Sequence, residues 1–238
     1  MSENNKSGSG NLIKSIFGMA AAAVAAAVAA PGMAILVFGG VIVSAIGISI
    51  WATGKEQIGM AVLGMQQSGK TTWYDYLNGQ NRHEKTTNKD IVDSFTMHLS
   101  DEKSVTIKKG IDIGGDKAFI KEHYEKMIND KENDFVIFFF NIEKYLNKIG
   151  YQRDVNSRLD LIYSILIKKI TEEYEISKRV FIIMSYKDKL SNPDKSFKDV
   201  TTLLSSKKYS PITKQMYCVN MLDAHEKETI KKKIFYGK

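Results

Sequence analysis

The fold of this chain is decided by one stretch, AVLGMQQSGKTT at residues 61–72. It contains the pattern Gly-x4-Gly-Lys-Thr from Gly64 to Thr71, which is typical of a phosphate-binding P-loop. The apolar residues 58–63 before it predict a buried strand, and residues 71–77 after it can begin a helix. A strand, a glycine-rich loop and a helix in this order are the context in which the pattern makes an anion site.

Several residues of the loop have a predicted task in holding a nucleotide. Gly64 and Gly69 allow the backbone to curl with its N–H groups pointing inward. Lys70 would reach the β- and γ-phosphates and is a predicted catalytic residue, and the Thr71 hydroxyl would bind Mg²⁺. The residues of this stretch that we expect to bind the nucleotide are Gly64, Gln66, Gln67, Ser68, Gly69, Lys70, Thr71 and Thr72.

Composition limits the classes of protein to which the chain can belong. The 238 residues carry a net charge of +7, and Cys218 is the single cysteine, so the chain has no internal disulfide framework. The excess charge is mostly lysine, which fits a surface facing anionic lipid or a solvated surface. Without an aromatic-interleaved basic motif or zinc-ligand spacing, no nucleic-acid partner is expected.

The N-terminal quarter contains the second strong signal. Residues 1–14 predict a flexible tail, and residues 15–51 are almost entirely apolar without a single charge. Residues 33–51 approach the length of about 20 apolar residues that spans a bilayer. Pro31 and Gly32 interrupt the segment, so it predicts either a transmembrane hairpin or a single span beginning near Met33.

The flanks of this apolar segment indicate how it would be oriented. Lys14 and Lys55 lie on either side of it, which fits a hairpin with both ends in the cytoplasm. A cleaved signal peptide is the alternative, but cleavage would export a nucleotide-binding domain away from its nucleotide. We therefore expect the lipid bilayer as a partner, with the domain that follows facing the cytoplasm.

Residues 57–238 predict one α/β domain in which strands and helices alternate. The architecture expected is a P-loop NTPase with a mainly parallel six-stranded sheet and helices on both faces. Residues 142–156 predict a long polar connection rather than regular structure. The strands are expected at 58–63, 91–99, 105–111, 135–140, 180–184 and 216–219, and the helices at 71–77, 124–130, 159–170, 197–204 and 224–235.

Two further motifs follow predicted strands. Asp112, at the end of the strand 105–111, could hold Mg²⁺ through water, and Gly115 would let its amide approach the γ-phosphate. Asp188 follows the strand 180–184 and could accept hydrogen bonds from guanine N1–H and the 2-amino group. Adenine lacks this donor pair, so a carboxylate here would select guanine. An ordinary turn at each acid is the alternative interpretation.

These motifs resemble those of small Ras-superfamily GTPases, particularly the Arf-like branch and the signal-recognition-particle receptor β subunit, which carries an N-terminal membrane segment. Gly-Lys-Thr-Thr ending at Thr72 and Asp112-x-Gly114-Gly115 carry the resemblance. It implies GTP or GDP and Mg²⁺ as cofactors, with Thr87 a metal ligand beside Thr71 and Asp112. The remaining nucleotide-binding residues that it implies are Thr86, Thr87, Gly115, Ser185, Tyr186, Lys187, Asp188 and Asn220.

Three positions depart from the family pattern. Ser185 and Tyr186 replace the Asn and Lys of the base motif, and Asp116 occupies the place of the water-orienting glutamine. A carboxylate only accepts hydrogen bonds and brings negative charge towards the phosphates, so Asp116 as a catalytic residue predicts slow hydrolysis.

The function expected is that of a membrane-anchored GTP-binding protein that hydrolyses GTP slowly and acts as a switch. An effector or activating protein of unknown identity would be its partner at the membrane. The alternatives are a nucleotide-binding anchor that does not cycle and a P-loop ATPase.

Overall fold

The computed structural model describes residues 57–79, 90–92, 95–100, 103–107, 110–112, 120–130 and 133–236. The predicted tail at 1–14 and the predicted membrane segment at 15–51 lie outside these residues. Among the helices that are described, none combines the length and the apolar character needed to span a bilayer.

The described residues alternate between strands and helices as the sequence predicts. The strands are β1 Gln57–Ile58, β2 Met60–Gly64, β3 Asp90–Val92, β4 Phe95–Ser100, β5 Lys103–Ile107, β6 Gly110–Asp112, β7 Phe135–Asn141, β8 Val180–Ser185 and β9 Met216–Cys218. The α-helices are α1 Lys70–Leu77, α2 Ile120–Asn129, α3 Ile142–Asn147, α4 Ile149–Leu166, α5 Glu173–Arg179, α6 Pro193–Ser205 and α7 Ala224–Tyr236. Short 3₁₀ turns lie at Lys187–Lys189 and Ser210–Thr213.

The central sheet is parallel, with the strand order β2-β7-β8-β9. All residues of β2, β7 and β8 are buried, which explains their continuous apolar sequences. Because the strands are parallel, the loops after their carboxyl ends meet at one edge of the sheet. That edge is where ligands bind in open α/β folds.

Helices cover both faces of this sheet, as predicted. On one face α1 and α7 pack over Val62 and Phe139, with Trp73 and Ile234 in the same cluster. On the other face α2, α4 and α6 pack over strand residues that include Phe138. Alternate residues of each strand therefore enter two separate cores.

The described strands do not form the single six-stranded sheet that was predicted. They make ladders of four, three and two strands, the smaller ones ordered β1-β5-β4 and β3-β6. Gly59 separates β1 from β2, because its amide donates to the Asp134 carboxylate and its carbonyl accepts from the Asp134 amide. β1 therefore pairs with β5, whereas β2, directly after Gly59, pairs with β7. β6 lies beside β2.

The prediction of a polar connection at residues 142–156 was wrong, because α3 and the first half of α4 occupy it. The Asn141 side chain caps α3 by accepting from the Lys144 amide at 2.9 Å. Ile142 and Tyr145 are buried in the core, and the Tyr145 ring lies 5.2 Å from that of Phe140. A few apolar contacts therefore outweigh the polar composition of this segment.

Adjacent phenylalanines of β7 provide a test of the two covered faces. Phe138 and Phe139 are both fully buried but belong to opposite cores. Truncating either one to alanine should lower the free energy of unfolding by about 3–5 kcal/mol. Urea denaturation of the two variants measures this loss, and a nearly neutral Phe139→Ala would show that α1 and α7 do not cover the sheet.

Candidate functional site

The P-loop begins at Gly64, where a side chain would meet the backbone of β7. Gly64 has φ of 147°, and a Cβ placed there would lie 2.2 Å from the Phe139 carbonyl oxygen. The Met65 amide donates to that same oxygen at 2.9 Å. Glycine is required at 64 because any side chain would separate the two strands at this point.

The loop then curls around the Met65 carbonyl oxygen. The Ser68 hydroxyl donates to this oxygen at 2.7 Å and the Lys70 ammonium donates to it at 2.9 Å. Gln67 and Gly69 have positive φ angles of 55° and 93°, which turn the chain back on itself. Lys70 is only 5% exposed, so its charge lies inside the curve of the loop rather than in solvent.

This curl leaves a set of donors suited to an anion. Within the described part of the chain, nothing accepts a hydrogen bond from the amides of Gln66, Gln67, Ser68 and Gly69. No side chain caps α1, whose N-terminus follows directly. Main-chain donors, a helix N-terminus and the Lys70 ammonium together fit a phosphate chain.

Arg158 of α4 lies directly beneath the loop, and the sequence analysis missed it. Its guanidinium, 5% exposed, donates to the Gly64 carbonyl at 2.8 Å and to the Tyr124 hydroxyl at 3.5 Å. Burial raises the pKa of Tyr124, and the charge of Arg158 acts in the opposite direction. Arg158 falls on the buried face of α4 with Val155 and Ile162, so its position on an apolar stripe could have revealed it.

The loop after β8 lies across from the P-loop. Ser185 is buried, and its hydroxyl donates to the Phe140 carbonyl at 3.1 Å. The Tyr186 hydroxyl donates to the Gln67 carbonyl at 3.1 Å, so this side chain reaches the P-loop. The Asp188 side chain is 26% exposed, with the Lys189 ammonium 3.3 Å away.

Glu226 of α7 joins this loop to the one after β9. Its carboxylate accepts hydrogen bonds from the Lys187 ammonium at 2.8 Å and from the main-chain amide of Asn220 at 2.8 Å. The hydrogen bond from Lys187 raises the pKa of that lysine. The Asn220 side chain in turn accepts from the Leu222 amide at 3.0 Å, which closes a tight turn.

The loop after β9 reaches the P-loop at Gly69. A Cβ at Gly69 would lie 3.1 Å from Cγ of Met221, the residue after Asn220. Two titratable groups near these loops are neutral at neutral pH, because burial raises the pKa of the Cys218 thiol to about 11 and that of the Tyr151 hydroxyl to about 12. Neither group therefore adds negative charge to the region at neutral pH.

The predicted metal site is only partly within the described residues. Thr71 lies in the first turn of α1, and Asp112 ends β6, which runs beside β2. Thr86, Thr87, Gly115 and the predicted catalytic Asp116 lie outside the described residues. The roles of all six of these residues remain predictions.

Comparisons with known proteins add information on the fold. No protein-family model and no curated protein matches the sequence. A solved structure described as a probable GTP-binding protein EngB aligns with a TM-score of 0.50 and 15% identity, over 75% of this chain and 97% of that one. The chain has a small-GTPase-like P-loop fold. The similarity to the Arf-like branch and to the receptor β subunit stays a prediction.

Two glycines with positive φ test the close contact at the start of the loop. A Cβ at Gly64 would clash with the Phe139 backbone, whereas one at Gly79, with φ of 65°, would meet nothing within 4 Å. Gly79→Ala should cost about 1 kcal/mol for the left-handed backbone alone. Gly64→Ala should cost at least about 3 kcal/mol, because main chain must move. Chemical denaturation compares the two, and equal losses would contradict the steric account.

Proposed function

We propose that the chain is a membrane-anchored GTP-binding protein that hydrolyses GTP slowly and acts as a nucleotide-dependent switch for a partner protein. The observation that carries the proposal is the curl of residues 65–69, with four amides available to an anion and Lys70 inside it. The small-GTPase-like fold supports it.

The phosphate end of the nucleotide would lie in this curl. The amides of residues 66–69 and the Lys70 ammonium would bind the phosphate oxygens, while Arg158 adds a buried positive charge behind Gly64. Thr71, Thr87 and Asp112 would hold Mg²⁺, which supplies charge neutralisation to the phosphates when bound.

The base would lie between the loops after β8 and β9. Ser185 is engaged with the Phe140 carbonyl, so base choice in this proposal rests on the Asp188 carboxylate. Guanine presents its N1–H and 2-amino group to such a carboxylate, whereas adenine lacks this donor pair and leaves the carboxylate without a partner on the base.

The switch would use the segment after the P-loop helix. In this proposal Thr86, Thr87 and Gly115 contact the γ-phosphate and are released on hydrolysis, and a partner senses the change. Asp116 cannot donate a hydrogen bond to water or phosphate while ionised, so the partner would have to supply donors. The apolar residues 15–51 would keep this partner at the bilayer.

Base selection is the first test. In detergent-solubilised full chain with Mg²⁺, GDP should bind at least about 100-fold more tightly than ADP, because adenine lacks the donor pair that Asp188 would accept. Asp188→Asn should reduce this ratio by about tenfold or more, while Asp199→Asn on the exposed face of α6 should leave it unchanged. Equal affinities in the native protein would favour an ATPase, and no binding of either would contradict the proposal.

The hydrolysis step is tested by single-turnover measurements with GTP. The native chain should hydrolyse bound GTP at about 10⁻³ s⁻¹ or slower, the range of unassisted enzymes of this kind. Asp116→Gln should raise the rate by at least about tenfold, because an amide can orient water and donate to phosphate. A native rate in the range of assisted GTPases would contradict this. No hydrolysis in either protein would favour the second candidate, a nucleotide-binding anchor that does not cycle.

A further inference from the structure

Glu226, in the first turn of α7, accepts hydrogen bonds from both loops that would hold the base. One carboxylate oxygen accepts from the Lys187 ammonium at 2.8 Å, and the other accepts from the main-chain amide of Asn220 at 2.8 Å. Lys187 lies in the loop after β8, directly before Asp188, and Asn220 lies in the loop after β9. One side chain of a helix therefore joins two loops that leave different strands.

The main chains of these two loops also touch, but less closely. The Lys187 amide donates to the Val219 carbonyl at 3.4 Å, which is longer than the range of about 2.7–3.2 Å typical of such bonds. The two bonds to Glu226 are shorter and involve a charged acceptor, and such bonds are roughly twice as strong as neutral ones. Glu226 therefore contributes more to holding the loops together than their direct contact does.

Glu226 is itself held in place at the start of α7. Its main-chain amide donates to the Asp223 carboxylate at 3.0 Å, and this bond lowers the pKa of the Asp223 carboxyl group. The Lys227 amide donates to the Asp223 carbonyl at 3.1 Å, so Asp223 caps the helix. The side chains of Lys187 and Glu226 are only 34% and 28% exposed, so water screens their attraction less than it screens a fully exposed ion pair.

The bond to Glu226 bears on the position of the Asp188 carboxylate. Asp188 is the middle residue of the 3₁₀ turn Lys187–Lys189. The Leu190 amide donates to the Lys187 carbonyl at 3.2 Å, which shapes this turn from within. A local bond of this kind does not fix where the turn lies relative to its neighbours, whereas the bond from Lys187 to Glu226 ties the turn to α7.

We propose that Glu226 is a positioning residue for base selection. Through Lys187 it holds the Asp188 carboxylate where the base would lie, and through the Asn220 amide it keeps the loop after β9 beside it. Glu226 does not contact the nucleotide and acts by setting the distance between the two loops. The inference rests on the proposed nucleotide binding and adds to it a residue that lies outside the sequence motifs.

Glu226→Gln is the direct test, because an amide offers one acceptor oxygen where the carboxylate offers two. Either the Lys187 ammonium or the Asn220 amide would then face the NH₂ group. In detergent-solubilised full chain with Mg²⁺, affinity for GDP should fall about 3–10-fold, the range expected for one lost hydrogen bond. Affinities for ADP and pyrophosphate should be unchanged, because neither uses Asp188 and the P-loop is held by hydrogen bonds of its own.

Lys187→Met provides a second variant that breaks one of the two links. It keeps a long apolar side chain and leaves Glu226 free to accept from the Asn220 amide. Affinity for GDP should again fall, and that for pyrophosphate should not. Because both variants remove the same ion pair, the double variant should lose less affinity for GDP than the product of the two single losses.

Glu228→Gln is the matched control on the same helix. The Glu228 carboxylate accepts from the Tyr76 hydroxyl at 2.5 Å and from the Lys231 ammonium at 3.4 Å, and neither partner belongs to the two loops. The same chemical change at this position should lower the melting temperature of the nucleotide-free protein without changing any of the three affinities.

Each outcome decides a different part of the inference. A fall in affinity for GDP alone, with less than the full combined loss in the double variant, supports it. An equal fall for all three ligands, an unchanged affinity for GDP, or independent losses in the double variant overturns the positioning role and leaves nucleotide binding by the native chain intact. A native chain that binds GDP and ADP equally, or binds neither, overturns the proposed base selection and this inference together.

Discussion

The site depends on the contact between the Gly64 backbone and the Phe139 carbonyl. With no Cβ at 64, β2 and β7 come close enough for the Met65 amide to bond to Phe139, which fixes the first turn of the loop. Arg158 holds the other side by donating to the Gly64 carbonyl. The curl around the Met65 carbonyl and the start of α1 come next in the chain, so these two hydrogen bonds help to determine their position.

Charge in this region is arranged for an anion. Arg158 and Lys70 are each 5% exposed, and burying cations is costly unless they are paired or bonded. Both donate to main-chain carbonyls of the loop, which satisfies part of their hydrogen-bonding capacity. The Cys218 thiol adds no negative charge there, because burial raises its pKa to about 11. Two buried cationic side chains therefore lie against the loop whose amides, at residues 66–69, we propose to bind phosphate.

The sequence predicts the parts of the structure that depend on local patterns. The strand, loop and helix at 58–77, the strands at 135–140 and 180–184, and helices on both faces are all confirmed. Sequence patterns do not predict structure that depends on long-range contacts. Residues 142–147 have a polar composition, but they form a helix because Ile142 and Tyr145 pack in the core. For the same reason, no local pattern reveals that Tyr186 meets Gln67 or that Arg158 meets Gly64.

Hydrogen exchange measures directly whether the amides of residues 66–69 receive phosphate. Mass spectrometry of the full chain would follow deuterium uptake in peptides covering residues 64–73, with GDP, with pyrophosphate and with guanosine. We expect slower exchange at these amides with GDP and pyrophosphate and no change with guanosine. Unchanged exchange while GDP is bound, or equal protection by guanosine, would contradict it.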